Sequence, residues 1–156
     1  ADITIMEEGT ELLGRLRKAI VEKDKSVKIP MFTSCSPGWV KFCEHYYPDY
    51  IGHLSSCKSP QQMFGAVIKT WYAKKAKIDP AKMTVVALMP CSAKKYECNR
   101  PENMDASGFR DVDYGLTARE LAKMIKEAGI HLKDMPDEEF DNPLGTGTGA
   151  GMLFGT

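Results

Sequence analysis

The chain has 156 residues, of which 43% are hydrophobic, and its 21 basic residues are balanced by 21 acidic ones. This length suits one domain or one lobe of a larger domain, and the zero net charge argues against nucleic acid or an anionic membrane as a partner. No apolar run approaches the roughly 20 residues that a membrane span requires, so we expect no membrane span.

The N-terminal half is predicted to contain helices and one short strand. Apolar side chains recur at helical spacing over residues 4–23, which predicts an amphipathic helix. Residues 27–32 end in an apolar run that suits a short buried strand. Pro37 and Gly38 interrupt this run, and a helix is predicted over residues 39–46.

A third helix is predicted over residues 61–75. Ser59 and Pro60 precede it, and serine as the cap with proline at the first helical position is a typical helix start.

The C-terminal half alternates strands and helices. Residues 83–89 are a nearly unbroken apolar run, as expected of a parallel strand that is covered on both faces. Residues 111–116 are interpreted as a second strand. Thr117, with an acidic residue three positions on, predicts a capping box at the start of a helix over 118–128. This order predicts an α/β fold with a mostly parallel sheet flanked by helices.

The tail over residues 145–151 is rich in glycine. It lacks the lysine and serine or threonine of a Walker loop, and no clear strand precedes it. We interpret it as backbone that closely approaches another element, which glycine permits. The chain stops at Thr156 soon after this segment, and we expect residues 1–156 to be one lobe of a larger domain, truncated at both ends.

The five cysteines, at positions 35, 43, 57, 91 and 98, are odd in number and widely spaced. This pattern favours reduced thiols in a reducing compartment, so we expect a cytoplasmic location. Cys43, Cys57 and Cys98 are interpreted as small buried hydrophobic residues. Cys35 and Cys91 differ because each lies close to a proline at the end of an apolar run, where a thiolate can meet a cofactor.

Two segments around these cysteines carry a family resemblance. They are residues 33–39 (TSCSPGW) and 89–97 (MPCSAKKYE), and neither is a CxxC motif of the zinc or thioredoxin type. Together they resemble the first two signature motifs of the iron-only (di-iron, FeFe) hydrogenases. The resemblance extends to further segments and covers nearly the whole chain: 2–13, 54–62, 110–121 and 145–155.

The resemblance implies an enzyme, a hydrogenase that splits or forms H2 reversibly. Its cofactor would be the H-cluster, a 4Fe-4S cubane joined to a di-iron subcluster with CO and CN ligands. The family's third motif, which has two more cysteines, is absent from this sequence, so the implied partner is the remainder of the catalytic subunit. The chain alone is expected to be inactive. Electrons would pass to ferredoxin, or to NAD(P) through partner subunits.

The same resemblance implies which residues hold the cluster. Cys91 matches the cubane ligand that also bridges to the di-iron centre. The first motif departs from the family's usual pair of adjacent cysteines, and matching by position makes Cys35 a proton-relay thiol and Ser36 the ligand. Serine oxygen is a harder donor than thiolate and matches cluster iron less well. Either Ser36 ligates through oxygen, or Cys35 moves into the coordination sphere.

A proton relay is also implied, formed by Cys35, Glu8, Ser55 and Glu11, with Arg15 at its solvent end. Glu8 and Glu11 are three residues apart and therefore share one face of the first helix. A relay requires groups within hydrogen-bond reach of one another. From the residues alone, two acids on an amphipathic helix are more typical of a solvated face.

Residues of the implied di-iron pocket are Lys94, which would contact a cyanide ligand, with Gln61, Met89 and Pro90. An ammonium group beside an anion is reasonable because the pairing offsets its desolvation.

Two competing hypotheses remain. The first is a sensory or assembly relative that binds an iron–sulfur cluster without hydrogen turnover, which Ser36 favours. The second is a thiol enzyme with Cys35 as nucleophile and His45 or His53 as its base.

Overall fold

The computed structural model describes residues 2–100, 104–139, 141, 143–145 and 149. The chain divides into two compact units between Phe64 and Gly65. In chain order the helices and strands are α1 (Asp2–Leu16), α2 (Pro37–Tyr46), α3 (Pro60–Val67), α4 (Ala73–Ala76), β1 (Val86–Leu88), α5 (Ala93–Cys98), β2 (Tyr114–Leu116) and α6 (Ala118–Glu127). The interpretation of the glycine-rich tail falls mostly outside the described residues.

Helical turns of other types join or extend these elements. Two are π-helical, at Arg17–Val21 and Ile68–Tyr72, and three are 3-10 helices, at Pro48–His53, Pro80–Lys82 and Leu132–Asp134. In the part of the chain that the structure describes, none of the helices combines the length and the apolar character needed to cross a membrane.

The prediction of an N-terminal helix is confirmed. Helix α1 continues into the π-helical turn Arg17–Val21, so helical backbone extends almost over the predicted range. Glu8 and Glu11 therefore lie on one helix, as their spacing predicted.

The strand predicted over residues 27–32 is wrong except at its last residue. Phe32 forms one isolated bridge, in which its N–H donates to His53 O at 2.8 Å and its carbonyl accepts from Ser55 N–H at 2.7 Å. Pro30 has no N–H to donate, so the pairing cannot continue regularly towards the N-terminus. The single bridge still places the start of the first cysteine segment beside the loop that contains Ser55.

Helix α2 begins two residues earlier than predicted, at Pro37. The reason is Ser36, whose extended backbone and side chain form the N-cap, and whose Oγ accepts a hydrogen bond from Trp39 N–H at 3.4 Å. Proline at the first helical position is compatible with such a cap because it has no N–H that would need a partner. Pro37 and Gly38, which were predicted to interrupt the apolar run before the helix, are thus the first two residues of the helix itself.

The predicted start of the third helix is confirmed. Helix α3 begins at Pro60, and Ser59 caps it by accepting a hydrogen bond from Gln62 N–H at 3.4 Å.

The second unit contains a two-stranded parallel sheet, which confirms the α/β fold class. Strands β1 and β2 pair with Val86 opposite Tyr114 and Leu88 opposite Leu116. Both strands are shorter than predicted, with three residues each. Among the described residues β1 is not covered on both faces, since Val86 and Leu88 are 47% and 52% exposed.

A buried ion pair holds the beginning of this sheet. Lys69 is 1% exposed, and its Nζ donates to Asp113 Oδ1 at 2.8 Å and to Oδ2 at 2.7 Å. Asp113 Oδ2 also accepts from Val85 N–H at 2.7 Å. A buried ammonium is tolerated only when it is paired in this way. Through these bonds the Asp113 carboxylate, just before β2, is joined both to the π-helical turn that contains Lys69 and to Val85, just before β1.

The capping box predicted for the last helix is confirmed. Glu120 N–H donates to Thr117 Oγ1 at 3.3 Å, and Thr117 N–H donates to Glu120 Oε2 at 2.9 Å. Gly129 follows the helix with φ of +71°, a conformation that favours glycine.

Helix α5 was not predicted, because it is short and its preceding residue, Ser92, makes no side-chain cap.

Gly65 permits a close approach between α3 and the segment before β2. A Cβ at this position would collide with Asp111 O and would lie 2.8 Å from Val112 Cγ2. We expect Gly65→Ala to lower the free energy of unfolding of the full-length protein by about 1–3 kcal/mol in urea denaturation, because the backbone must shift to relieve the clash. Gly9→Ala is the control, since a Cβ on Gly9 in α1 would have no neighbour within 4 Å. Equal effects of the two changes would contradict this packing.

Candidate functional site

The first unit gathers hydrogen-bond donors around the Glu11 carboxylate. We call Glu11, Arg15, Ser55, Ser56 and Cys57 the Glu11 cluster. Ser55 Oγ donates to Glu11 Oε2 at 2.6 Å, and Ser56 N–H lies 3.0 and 3.1 Å from the two carboxylate oxygens. The Cys57 thiol donates to the same Oε2 at 3.4 Å. Three consecutive loop residues thus supply a hydroxyl, an amide and a thiol to one carboxylate on α1.

Arg15 closes the cluster from the next turn of α1. Its Nε and Nη2 donate to Glu11 Oε1 at 3.0 and 2.7 Å, a two-donor ion pair in which the side chains are only 17% and 15% exposed. Nη2 also donates to Leu54 O at 2.8 Å, and Nη1 donates to Gly52 O at 3.3 Å. The guanidinium therefore fixes Glu11 and attaches the loop to the helix at the same time.

These contacts separate the proton affinities of the two glutamates. Burial raises the pKa of Glu11, but hydrogen bonds from Ser55, Ser56, Arg15 and Cys57 outweigh it and lower the pKa to about 2. Burial, followed by repulsion from Glu11, raises the pKa of Glu8 above its usual value, against a smaller lowering by the Ser55 hydroxyl. A single proton on this pair of glutamates therefore binds to Glu8 in preference to Glu11.

The first cysteine segment is attached to this cluster. Ser34 Oγ donates to Ser55 O at 2.9 Å and lies 3.2 Å from Cys57 O. Cys35 follows directly and is half-buried, whereas Ser36 is exposed and caps α2. The structure thus brings together the predicted Glu8, Glu11, Arg15 and Ser55, and it places the residue before Cys35 against the same loop.

Of the two histidines of the thiol-enzyme hypothesis, His45 lies in α2 and His53 is the last residue of the Pro48–His53 turn. His53 Nδ1 is 2.9 Å from Pro30 O, and since a carbonyl only accepts, this nitrogen carries a proton. The His53 ring stacks on Phe32 with ring centres 5.7 Å apart, while His45 is exposed in the last turn of α2. The contacts of His53 are those of a packed structural residue.

In the second unit Cys91 lies just beyond the carboxyl end of β1, as predicted. Met89 N–H donates to Leu116 O at 2.9 Å, and Pro90, which has no N–H to donate, follows it. Cys91 is free and exposed, and its carbonyl accepts from Lys94 N–H at 3.2 Å at the start of α5. Ligands of open α/β sheets bind at this edge of the strands.

Lys94 makes an ion pair with Glu97 on the same helix. Lys94 Nζ lies 3.2 and 3.3 Å from the two carboxylate oxygens, and the side chains are 12% and 6% exposed. This pair compensates the desolvation of the ammonium in the protein itself. Gln61, the remaining predicted pocket residue, is buried in the first unit.

Sequence reasoning missed two parts of the first-unit site. Cys57 was interpreted as an inert buried thiol, and Ser34 was not singled out, yet both make hydrogen bonds within or onto the Glu11 cluster. The available signal for Cys57 was its position two residues after Ser55, inside the segment 54–62. None of the five cysteines forms a disulfide.

The donor chemistry fits individual ligands of an iron–sulfur cluster. Neither Cys35 nor Cys91 forms a disulfide, and thiolates are the usual ligands of cluster iron, normally four for each cubane. Within the described ranges no group of three or more metal-binding side chains comes together. Among the described residues, Cys35 and Cys91 therefore fit as individual ligands and not as members of a preformed metal site.

Comparison with known proteins agrees with these features. The family described as "Iron only hydrogenase large subunit, C-terminal domain" matches residues 1–156. The chain is 55% identical over 155 residues to the NADP-reducing hydrogenase subunit HndD of Solidesulfovibrio fructosivorans, covering 99% of this chain and 26% of that protein. It is 49% identical to the periplasmic Fe hydrogenase large subunit of Nitratidesulfovibrio vulgaris, covering 99% of this chain and 35% of that subunit.

Solved structures show the same fold. An apo FeFe-hydrogenase variant from Chlamydomonas reinhardtii superimposes with a TM-score of 0.81 at 46% identity, covering 96% of this chain and 36% of that one. A more distant relative is a cytosolic Fe-S cluster assembly factor of Sclerotinia sclerotiorum, 37% identical over 142 residues, covering 86% of this chain and 25% of that protein. The chain spans about a quarter to a third of the length of these proteins. It belongs to the family of the iron-only hydrogenase large subunit, C-terminal domain.

Proposed function

We propose that this chain is part of the catalytic subunit of an iron-only hydrogenase, which oxidises H2 or reduces protons reversibly. The observation that carries the proposal is the Glu11 cluster, a hydrogen-bonded acid pair attached through Ser34 to the first cysteine segment. Family membership and 55% identity to a hydrogenase subunit support it. The remainder of the catalytic subunit, with a third cysteine motif, is the proposed partner.

The proposed cofactor is the H-cluster, a 4Fe-4S cubane with a di-iron subcluster. We propose that Cys91 and either Ser36 or Cys35 are ligands of this cluster. Lys94, Gln61, Met89 and Pro90 are proposed to line the di-iron pocket. When bound, the cluster supplies the iron at which hydrogen is split or formed and the cubane through which electrons pass.

The proton is proposed to move through Cys35, Glu8, Ser55 and Glu11. Ser55 has one hydroxyl proton, which points to Glu11 Oε2 at 2.6 Å, and one of its two lone pairs accepts from Cys57 N–H. The other lone pair can accept from a protonated Glu8. A proton that enters Ser55 Oγ from Glu8 releases the existing hydroxyl proton to Glu11. Ser55 is therefore neutral both before and after it passes on a proton.

The separated proton affinities give the two acids different tasks. Glu8, with its raised pKa, can hold a proton, and Glu11, with a pKa of about 2, is protonated only briefly before the proton passes to solvent. Pairs of acids whose environments separate their pKa values are typical of proton-transfer sites. Arg15 keeps Glu11 ionised and ordered at the outer end of the path.

The choice between Ser36 and Cys35 as cluster ligand is open to a direct test. We propose Ser36, at the N-cap of a ten-residue helix, where the helix dipole favours an anionic donor. Ser36→Cys in the full-length protein is then expected to retain more iron, because thiolate is the softer donor. Cys35→Ser is expected to keep its iron and slow hydrogen turnover. Loss of iron in Cys35→Ser, measured by metal analysis, would instead make Cys35 the ligand.

A second candidate function is iron–sulfur cluster assembly or sensing without hydrogen turnover. It is favoured by Ser36 in the ligand position and by the identity to an assembly factor. The higher identity to hydrogenase subunits favours catalysis. Hydrogen evolution by the full-length protein with a chemical reductant distinguishes the two, and we expect sustained evolution.

Electron partners and location are also proposals. Ferredoxin or NAD(P)-linked subunits are proposed acceptors, and the name of the NADP-reducing relative supports the second. A cytoplasmic location stays a prediction from cysteine usage, and one relative is named periplasmic.

A further inference from the structure

Cys57 makes two hydrogen bonds inside the Glu11 cluster. Its backbone N–H donates to Ser55 Oγ at 3.1 Å, and its thiol donates to Glu11 Oε2 at 3.4 Å. The second distance is normal for a sulfur donor. Ser55 Oγ donates to the same Oε2 at 2.6 Å. The thiol therefore binds the very oxygen to which the proposed relay delivers its proton.

We propose that Cys57 is a positioning residue whose thiol lowers the proton affinity of Glu11 and so restrains proton passage along the path. The proposal rests on the relay proposed above. Cys57 was not among the residues that the sequence predicted for the proton relay or for the cluster ligands.

The thiol acts as a fixed donor rather than as a proton carrier. Burial, and the nearby Glu11 and Glu7 carboxylates, raise the pKa of Cys57 despite an opposing hydrogen bond with Ser55. A thiol that stays protonated at neutral pH keeps its hydrogen bond through every transfer. Each donor that remains on Oε2 makes the protonated form of Glu11 less favourable, because the neutral acid is a weaker acceptor than the carboxylate.

The backbone bond from Cys57 remains when its side chain is changed. Substitution of the side chain therefore removes the thiol contact without removing the amide that orients Ser55 Oγ. The two variants Cys57→Ala and Cys57→Ser differ in whether the side chain can still donate a hydrogen bond. Serine keeps a hydroxyl donor on Cβ, and alanine has none.

The first measurement is hydrogen turnover of the full-length enzyme at neutral pH. Loss of this donor raises the pKa of Glu11, because the charged carboxylate loses a hydrogen bond, and the protonated fraction of Glu11 rises with it. We expect Cys57→Ala to raise turnover by about threefold with unchanged KM for hydrogen, and Cys57→Ser to stay near the wild-type rate. Cys43→Ala is the matched control, because the buried Cys43 thiol donates to Tyr47 O at 3.5 Å.

The second measurement does not depend on turnover. In the metal-free full-length protein, the infrared difference between wild type and Cys57→Ala isolates the S–H stretch of Cys57. Glu11→Gln is expected to shift this band to higher frequency, because a neutral amide is a weaker acceptor than a carboxylate. Absence of hydrogenase activity would leave this result intact. An unshifted band, or turnover of Cys57→Ala at or below wild type, would overturn the proposal.

Discussion

Replacement of Cys91 by alanine in the full-length protein is expected to abolish the di-iron signals. Cys91 is an exposed free thiol at the carboxyl end of β1, and it is the proposed link between the cubane and the di-iron subcluster. Alanine has no donor atom, so the subcluster would lose its attachment and the cubane one of its ligands. Infrared spectroscopy in the CO and CN region, together with iron analysis, measures both losses.

Cys98→Ala provides the control for this experiment. Cys98 lies on the adjacent helix α5, but it is 4% exposed and has no proposed role at the cluster. We expect its variant to keep the CO and CN bands and a wild-type iron content. A complete band pattern in Cys91→Ala would remove Cys91 from its proposed role.

Replacement of Glu11 by glutamine is expected to lower hydrogen turnover at least tenfold. Glutamine keeps the size and most of the hydrogen bonding, but its amide cannot take up and release a proton as a carboxylate does. The cluster spectrum is expected to persist, because Glu11 is not a proposed ligand. Turnover with a chemical reductant, normalised to iron content, is the measurement.

Two further variants separate proton transfer from a general loss of order. Glu7→Gln changes an exposed carboxylate on the same helix and is expected to leave turnover unchanged. Ser55→Ala keeps the ion pair of Glu11 with Arg15 but removes the hydroxyl that joins Glu8 to Glu11, and its turnover is expected to fall as well. Near-wild-type turnover in Glu11→Gln would mean that the two glutamates are only a polar helix face.

Features set by neighbouring residues were predictable from the sequence. The capping box at Thr117 and the serine cap at Ser59 depend on side chains within three residues of the backbone groups they bind. The parallel pairing of β1 and β2 followed from the apolar run and the strand–helix order. The strand over residues 27–32 failed because pairing depends on a partner distant in sequence, and Pro30 limits that pairing to one bridge.

The site shows the same division. The spacing of Glu8 and Glu11 predicted a shared helix face, whereas the role of Cys57 depends on a loop 46 residues further along the chain that packs against α1. Apart from its position two residues after Ser55, nothing local to Cys57 distinguishes it from an inert buried thiol. Ser36 was singled out for cluster chemistry, and its additional role as the cap of α2 became evident only from the backbone geometry.

The most direct test of the proposed function is the infrared spectrum of the full-length protein, supplied with the components of the di-iron subcluster. We expect CO and CN bands that change when hydrogen is added. An iron–sulfur protein that shows no CO or CN bands under these conditions would contradict the hydrogenase function and favour the assembly or sensory role.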